Sequence, residues 1–273
     1  MKIHTKDISL NVELFSEIDA VKDTLIFLHG FTGSANDWQK TAELIDDSFN
    51  KIAVDLTGHG KSDTPVEVDN YSASSINLQF MDIINHFTKG KVILLGYSMG
   101  GRTALSFATN HPDKIKGMIL ESTSAGIEDP AERKERIKSD EVLAEFIETS
   151  SIENFIDHWM NLEIFGTQKR FSNNLLQKIR TEKLQNSSIG LAQSLRGFGT
   201  GMMPYLGDKL SSLYFPVLLI TGELDSKFTQ INQGMVKKFP SAHHQIIKNA
   251  GHNVHLEETD KFTETANWFL NQF

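Results

Sequence analysis

The sequence KVILLGYSMGGR, at Lys91–Arg102, gives the strongest indication of the fold. Its first half, Lys91–Gly96, is a short apolar run, which is typical of a strand buried on both faces of a parallel sheet. Its second half contains Gly-x-Ser-x-Gly with Ser98 at the centre. A helical pattern covers Gly101–His111, and Pro112 ends it. The stretch therefore predicts a strand, a sharp turn and a helix in direct succession.

Gly-x-Ser-x-Gly carries chemistry when it stands between a strand and a helix. The glycines allow a strained turn that lifts the serine hydroxyl clear of the sheet, where a substrate can reach it. The competing interpretation is an ordinary glycine-rich turn, which the strand before Ser98 and the helix after it disfavour. Ser98 is thus predicted to be a reactive hydroxyl.

A reactive serine needs a histidine to take its proton and an acid to orient that histidine. In sheets with this turn, the acid and then the histidine follow the serine along the chain. Asp225 comes after the apolar run Pro216–Gly222, and His252 lies in Asn-Ala-Gly-His-Asn beyond a further strand. Glu223 is the competing acid, but it lies closer to the strand. We therefore predict a catalytic triad of Ser98, Asp225 and His252.

Backbone N–H groups are expected to stabilise negative charge that develops on the substrate. The residue after the serine and a residue after the first long strand usually supply them. Here these residues are Met99 and Phe31. His29 is expected to order the turn that contains Phe31. His255 is expected to be a surface histidine at the start of a helix, facing away from the triad.

Apolar runs alternate with helical patterns through the first half of the chain, as a doubly wound parallel sheet requires. Further strands are predicted at Thr24–His29, Lys51–Asp55 and Lys116–Glu121, and helices at Trp38–Ile45 and Ser72–Phe87. Between about residue 122 and residue 210 we find only charged amphipathic stretches: Ala131–Ile147, Ile152–Phe165 and Phe171–Lys183. Strands resume at Pro216–Gly222 and His244–Ile247, and a helix, Lys261–Leu270, closes the chain.

This order of elements predicts an α/β-hydrolase fold: a mostly parallel central sheet flanked by helices, with an inserted helical lid. The first part of the core would cover residues 1–121, the lid 122–210 and the second part of the core 211–273. A helical insertion of this kind is expected to cover the carboxyl ends of the strands, where such sheets bind ligands.

Composition limits the possible partners and cofactors. The 273 residues carry a net charge of −8, which argues against a nucleic-acid or membrane partner. There are no cysteines, so disulfides and thiolate metal sites are excluded. Gly58–Ser62 lacks the spacing of a phosphate loop, and His243 and His244 point to opposite faces of a strand. We expect no cofactor and no metal.

The N-terminal residues lack the basic and apolar regions of a signal peptide, and no apolar stretch is long enough to span a membrane. We therefore expect a cytoplasmic protein. Whether it is a monomer or a homodimer stays open, and the expectation of a small anionic substrate comes from the arginines.

The positions of the arginines indicate what kind of substrate the protein binds. Arg102 lies four residues after Ser98, in the first turn of the elbow helix, where an esterase would more usually place a small or apolar residue. Arg133, Arg136, Arg180 and Arg196 lie in the predicted lid and could add to this charge. For a lid arginine such as Arg133, a solvated helix face is the better interpretation.

Five segments together resemble one known family over nearly the whole chain. They are HGFTGSANDW (29–38), DLTGHGKS (55–62), GYSMGGR (96–102), ERKERIKSD (132–140) and GLAQSLRGFGTG (190–201). The first two are common in α/β hydrolases, whereas the other three together are much narrower. The chain resembles the 2-succinyl-6-hydroxy-2,4-cyclohexadiene-1-carboxylate (SHCHC) synthases of menaquinone (vitamin K2) biosynthesis.

The resemblance implies a carbon–oxygen lyase that eliminates pyruvate from 2-succinyl-5-enolpyruvyl-6-hydroxy-3-cyclohexene-1-carboxylate, with the triad acting as the base. It implies substrate-binding roles for Tyr97, Arg102, Arg136, Trp159 and Arg180. The alternative is a serine hydrolase of small esters or of carbon–carbon bonds in ring-fission products. A third interpretation, a ligand-binding protein without catalysis, is disfavoured by the complete set of triad residues.

Overall fold

One mixed sheet forms the centre of the molecule. The computed structural model describes residues 1–5 and 8–273. Within them, eight strands pair in the order β1-β2-β4-β3-β5-β6-β7-β8. The strands are β1 (Lys2–His4), β2 (Ser9–Leu14), β3 (Thr24–Leu28), β4 (Asn50–Val54), β5 (Val92–Tyr97), β6 (Ile115–Glu121), β7 (Val217–Gly222) and β8 (Ala242–Ile247). Only β1 with β2 and β2 with β4 pair antiparallel; every other pair is parallel.

Helices cover the sheet and fill the region between β6 and β7. They are α1 (Gln39–Leu44), α2 (Ala73–Phe87), α3 (Met99–Asn110), α4 (Pro130–Thr149), α5 (Ile152–Met160), α6 (Asn173–Lys183), α7 (Ser188–Phe198), α8 (Ser226–Met235), α9 (Val254–Glu257) and α10 (Thr259–Leu270). The predicted fold class, a mostly parallel sheet flanked by helices, is confirmed.

The core lies on both faces of the sheet because the central strands are buried on both sides. In β5, Val92 and Leu94 pack into one apolar cluster, whereas Ile93 and Leu95 pack into the other. This alternation follows from the two-residue period of a strand. Because β5 is buried on both faces, successive residues are apolar, and this gives the nearly continuous apolar run that predicted the strand.

The helices between β6 and β7 have a small core of their own. It contains Ala144 and Ile147 of α4, Phe155 and Ile156 of α5, and Leu191, Ala192 and Leu195 of α7. The start of each helix is fixed by a side-chain oxygen that accepts a backbone N–H: Asp129 for α4, Ser151 for α5, Ser172 for α6 and Ser187 for α7. The predicted division at residues 121 and 210 into core and lid stays a prediction.

Several elements differ from the predictions. Strands β1 and β2 were not predicted, because their pattern is short and alternating and lacks a long apolar run. Helix α7 was not predicted either, since its contact face consists partly of glycine and alanine. The predicted helix over Ile152–Phe165 ends at Met160, and a 3₁₀ segment, Glu163–Arg170, follows it.

None of the helices in residues 1–5 and 8–273 combines the length and the apolar character that a membrane crossing demands.

Candidate active site

Ser98 lies at the turn between β5 and α3 in a conformation that non-glycine residues rarely adopt. Its φ is 50° and its ψ is −105°. The neighbouring glycines make the turn possible: a Cβ on Gly96 would lie 2.5 Å from the Gly100 carbonyl group, and a Cβ on Gly100 would meet the Leu28 carbonyl. The backbone therefore holds a strained, partly exposed serine above the carboxyl edge of the sheet.

The structure brings Ser98, His252 and Asp225 together. The Nε2 atom of His252 lies 3.2 Å from the Ser98 Oγ, and its Nδ1 lies 2.7 Å from the Asp225 Oδ2. His252 is only 3% exposed and Asp225 only 9% exposed. With its Nδ1–H donated to the carboxylate, His252 presents a free Nε2 lone pair to the serine hydroxyl. This arrangement allows His252 to take the serine proton.

Asp225 is oriented by the element that follows it. It is the N-cap of α8, and its Oδ1 accepts the backbone N–H of Phe228 at 3.2 Å, which leaves Oδ2 for His252. The competing acid, Glu223, is exposed, and its carboxylate accepts the backbone N–H of Asn249. The geometry thus favours Asp225 as the partner of the histidine.

The N–H groups of Phe31 and Met99 are free to bind an anion. Met99 is the first residue of α3, so its N–H has no acceptor within the helix. Phe31 lies in the turn after β3, and in the described part of the chain its N–H donates to no backbone or side-chain oxygen. His29 orders that turn, because its Nδ1–H donates to the Gly30 carbonyl while its Nε2 accepts the N–H of Leu56.

The prediction that His255 is a surface histidine is wrong. His255 does lie at the start of a helix, α9, but it is only 3% exposed. Its Nδ1 lies 2.6 Å from the Oε2 of Glu121, and its ring stacks on Trp38 with centroids 4.1 Å apart. The buried carboxylate at the end of β6 draws the histidine inward, and no sequence pattern revealed that pairing.

A cavity of about 950 Å³ opens above the triad. Ser98 and His252 line it, together with four of the predicted substrate-binding residues: Tyr97, Arg102, Arg136 and Trp159. Lys227 and Lys238 also line this cavity, as do the acidic residues Glu128, Asp129 and Glu132. We call it the triad cavity.

Arg102 is fixed within the wall of the triad cavity. Its Nη1 donates to the Phe198 carbonyl at 2.7 Å, and its guanidinium lies over the Phe198 ring, 5.5 Å from the centroid. Burial, and to a smaller extent the neighbouring Arg136, lower the pKa of Arg102 to about 10. It therefore stays charged at neutral pH, although part of its hydration has been removed, which strengthens its attraction for an anion.

Three of the arginines named in the predicted lid lie away from the triad cavity: Arg133, Arg180 and Arg196. Arg180 lines neither the triad cavity nor a smaller cavity that adjoins it. It forms a two-pronged ion pair with Asp157, at 2.6 and 2.9 Å. Arg196 binds Glu141 and Glu148, and Arg133 donates to the carbonyls of Gly201 and Met202. Of Arg102, Arg133, Arg136, Arg180 and Arg196, only Arg102 and Arg136 line the triad cavity.

A second cavity, of about 360 Å³, adjoins the triad cavity. Phe31, Tyr97, Trp159 and Phe165 line both, and so form the wall between them. Lys183 lines the second cavity, and its Nζ donates to the Thr32 hydroxyl at 2.9 Å. Sequence reasoning singled out Arg180 and missed Lys183, because the cavity-facing side of α6 was not evident from its mixed polar pattern.

Two aromatic residues of this wall present polar groups. The Trp159 Nε1 is buried and, among the described residues, has no hydrogen-bond partner. Burial, reinforced by the negative charge of Glu121, raises the pKa of the Tyr97 hydroxyl well above its usual value. Tyr97 therefore keeps its proton and can donate it in a hydrogen bond to a ligand.

Comparison with known proteins places the chain in a family. The family model of the alpha/beta hydrolase fold matches residues 23–259. A protein of Bacillus subtilis (strain 168) named "Putative 2-succinyl-6-hydroxy-2,4-cyclohexadiene-1-carboxylate synthase" is 40% identical over 91% of this chain and 90% of its own length. A protein of Enterobacter sp. (strain 638) named "2-succinyl-6-hydroxy-2,4-cyclohexadiene-1-carboxylate synthase" is 30% identical over 85% of this chain and 86% of its own length.

A solved structure agrees with these relatives. MenH from S. aureus superposes with a TM-score of 0.91 and 32% sequence identity, over 96% of this chain and 98% of its own. A thermophilic esterase from Thermogutta terrifontis, at 24% identity and a TM-score of 0.84, shares the fold. The chain belongs to the alpha/beta hydrolase fold family and, within it, to the 2-succinyl-6-hydroxy-2,4-cyclohexadiene-1-carboxylate synthases.

Proposed function

We propose that this enzyme eliminates pyruvate from 2-succinyl-5-enolpyruvyl-6-hydroxy-3-cyclohexene-1-carboxylate to give SHCHC in menaquinone biosynthesis. The relatives named above support the reaction. One observation about the site supports it most: two guanidinium groups, those of Arg102 and Arg136, line the same cavity as Ser98 and His252. A site for neutral esters has no need of them, whereas a substrate with three carboxylates does.

In the proposed mechanism, Ser98 acts as a base. His252 takes the proton of the Ser98 hydroxyl through Nε2, and Asp225 stabilises the resulting imidazolium. The serine oxygen then removes a proton from the ring carbon next to the succinyl ketone. The electron pair of that C–H bond moves through the ring double bond, and the C–O bond to the enolpyruvyl group breaks. The leaving group departs as the enolate of pyruvate.

The same residues return the protons. Ser98 holds the proton taken from the ring, and His252 holds the proton that came from Ser98. Protonation of the pyruvate enolate by the imidazolium, directly or through water, leaves the serine and the neutral histidine ready for another turnover. Each proton that the triad takes up is thus returned by the end of the turnover.

Negative charge that leaves the ring carbon delocalises onto the oxygen of the succinyl ketone. We assign that oxygen to the N–H groups of Phe31 and Met99, which are fixed by the turn after β3 and by the start of α3. Donors that are already aimed at the developing charge need no reorganisation during the reaction. This is the same use of an oxyanion hole as in ester hydrolysis, without an acyl-enzyme.

The carboxylates would be shared among the cationic side chains of the site. Arg102 and Arg136 serve the triad cavity, and Tyr97 and Trp159 supply neutral hydrogen-bond donors at its wall. For Arg180, the role implied by family resemblance would require it to leave Asp157. Lys183 is the better candidate on that side, because it already lines the adjoining cavity.

Pyruvate release from the enolpyruvyl substrate tests the proposal. Wild type should release one pyruvate for each substrate consumed, and Ser98→Ala should lose nearly all of that activity while keeping its folded far-UV spectrum. The hydrolase alternative predicts rapid turnover of neutral aryl esters and no pyruvate from the tricarboxylate. That second pattern would overturn the proposal.

A further inference from the structure

Asp140 is a buried carboxylate that the proposed mechanism does not use. It lies on α4 and is only 4% exposed. Its Oδ1 accepts the Nε–H of Arg136 at 2.7 Å, one helical turn earlier on α4, while its Oδ2 has no hydrogen-bond partner among the described residues. Burying a charged group is costly unless it is paired, so this carboxylate calls for a physical explanation.

Asp140 does not line the triad cavity. It lines a separate surface groove of about 440 Å³, together with Ile137 and Arg196. Arg136, in contrast, lines the triad cavity. The carboxylate thus lies behind the guanidinium as seen from the triad, and it can influence a ligand there only through Arg136 or through its charge.

The junction of α3, α4 and α7 holds both arginines of the triad cavity. Arg102 on α3 donates to the carbonyl of Phe198, the last residue of α7. The next residue, Gly199, packs so closely against Asp140 that a Cβ there would lie 2.5 Å from its Oδ2. Burial raises the pKa of Asp140, and the charges of Arg136 and Arg102 offset part of that rise.

The hydrogen bond through Nε has a geometric consequence. A guanidinium has five N–H donors in a plane, and Asp140 engages the one on Nε. In residues 1–5 and 8–273, the Nη atoms of Arg136 have no partner. They form the edge of the group that can bind a carboxylate with two parallel hydrogen bonds. Fixing Nε leaves that edge free for a ligand in the triad cavity.

We propose that Asp140 is a positioning residue: it fixes Arg136 so that its Nη edge faces the triad cavity, and it offsets the repulsion between Arg136 and Arg102. The inference rests on the proposed function, because it assumes that a substrate carboxylate binds Arg136. It assigns substrate recognition to a carboxylate that never contacts the substrate. Without Asp140, two like charges would share one wall and Arg136 would be free to turn away.

A double-mutant cycle tests this role, with pyruvate release as the assay. Asp140→Asn should raise KM for the tricarboxylate about tenfold, the effect of weakening one charge-assisted hydrogen bond, with little change in kcat. Arg136→Met should raise KM at least as much. In the double variant, Asp140→Asn should add nothing to the effect of Arg136→Met, because the residue through which it acts has gone.

The matched control is Glu135→Gln, which removes the same charge from an exposed position on α4 where Glu135 pairs with Lys138. It should keep the wild-type KM. If the role of Asp140 were merely structural, Asp140→Asn would instead lower kcat and the melting temperature. The factor by which kcat falls would then be the same with and without Arg136, and that result would overturn the proposal. A wild-type KM in Asp140→Asn would overturn it too. If wild type itself releases no pyruvate, the proposed function fails, independently of every variant.

Discussion

At the scale of single residues, the proposed chemistry depends on Ser98 being held in a backbone conformation that non-glycine residues rarely adopt. A non-glycine residue at a φ of 50° and a ψ of −105° costs on the order of 1–3 kcal/mol. The packing of β5 and α3, with the close contacts at the glycines, offsets this cost. In return, the hydroxyl stands clear of the sheet, within 3.2 Å of His252.

Exchange of Asp225 for asparagine tests the triad. An amide in that position favours the wrong histidine tautomer, so kcat should fall by about 10⁴-fold, as in other serine triads, with little change in KM. Steady-state pyruvate release measures both constants. Glu223→Gln is the matched control and should keep the wild-type kcat, since Glu223 is exposed. A large loss in Glu223→Gln but not in Asp225→Asn would show that the acid has been misassigned.

Exchange of Arg102 for alanine tests the binding of the anionic substrate. Removing a charge-assisted hydrogen bond of about 1.5–3 kcal/mol should raise KM by about 10- to 100-fold and leave the triad intact. Because Arg102 also binds the Phe198 carbonyl, the melting temperature should be recorded alongside KM. Unchanged kinetics with the tricarboxylate would exclude the proposed role of Arg102.

At the scale of elements, the contact of α3 with β3 sets the position of the elbow. A Cβ on Gly100 would meet the Leu28 carbonyl, which is backbone and cannot turn aside. We expect Gly100→Ala to lower the free energy of unfolding by about 1–3 kcal/mol, the usual result of overpacking, and to lower kcat as the serine shifts. Denaturant unfolding and pyruvate release would measure the two effects.

The control for this substitution is Gly234→Ala in α8. A Cβ on Gly234 would meet no atom within 4 Å, so alanine should stabilise the helix by about 0.5–1 kcal/mol. Equal destabilisation by both substitutions would contradict the packing argument for Gly100.

Elements with one strong signal could be predicted from the sequence. The central strands are apolar on both faces, and Gly-x-Ser-x-Gly needs a particular local context, so β5, Ser98 and the loop positions of Asp225 and His252 follow from the chain alone. The predictions were wrong or incomplete where the burial or orientation of a side chain depends on contacts between distant elements. His255 is buried by Glu121, 134 residues away, and Lys183 faces a cavity only through the rotation of α6 about its axis.

At the scale of the whole molecule, a net charge of −8 opposes the approach of an anionic substrate. For the proposed substrate, Arg102 and Arg136 on the triad cavity would have to overcome that field locally. They would act at short range and in a partly dehydrated place, where Coulomb interactions are stronger than in bulk water. For the binding of an anionic substrate, the local charge of these two arginines is therefore more important than the net charge of the whole chain.

Buried neutral histidines should make the fold sensitive to acid. Burial lowers the pKa of His59 from 6.5 to about 3, and it lowers the pKa of His29 in the same direction. In the unfolded chain, His59 binds a proton below its ordinary pKa, whereas in the folded chain it stays neutral. Its contribution to stability is therefore complete above pH 6.5 and is lost as the pH falls from 6.5 towards 3.

For His59 alone, the loss at pH 5 should be about 2 kcal/mol. Urea unfolding of wild type and His59→Gln, at several values between pH 7 and pH 5, measures it. The free energy of unfolding should fall less steeply with decreasing pH in the variant. Parallel curves would mean that His59 is not held neutral in the folded protein.

In the proposed mechanism, Ser98 acts as a base and never carries a covalent acyl group. The most direct test is the intact mass of the enzyme, sampled during a single turnover while pyruvate release is followed. We predict that one pyruvate is released per substrate and that the enzyme mass stays that of the unmodified chain throughout. A transient mass increase that maps to Ser98 and decays with product formation would contradict the account.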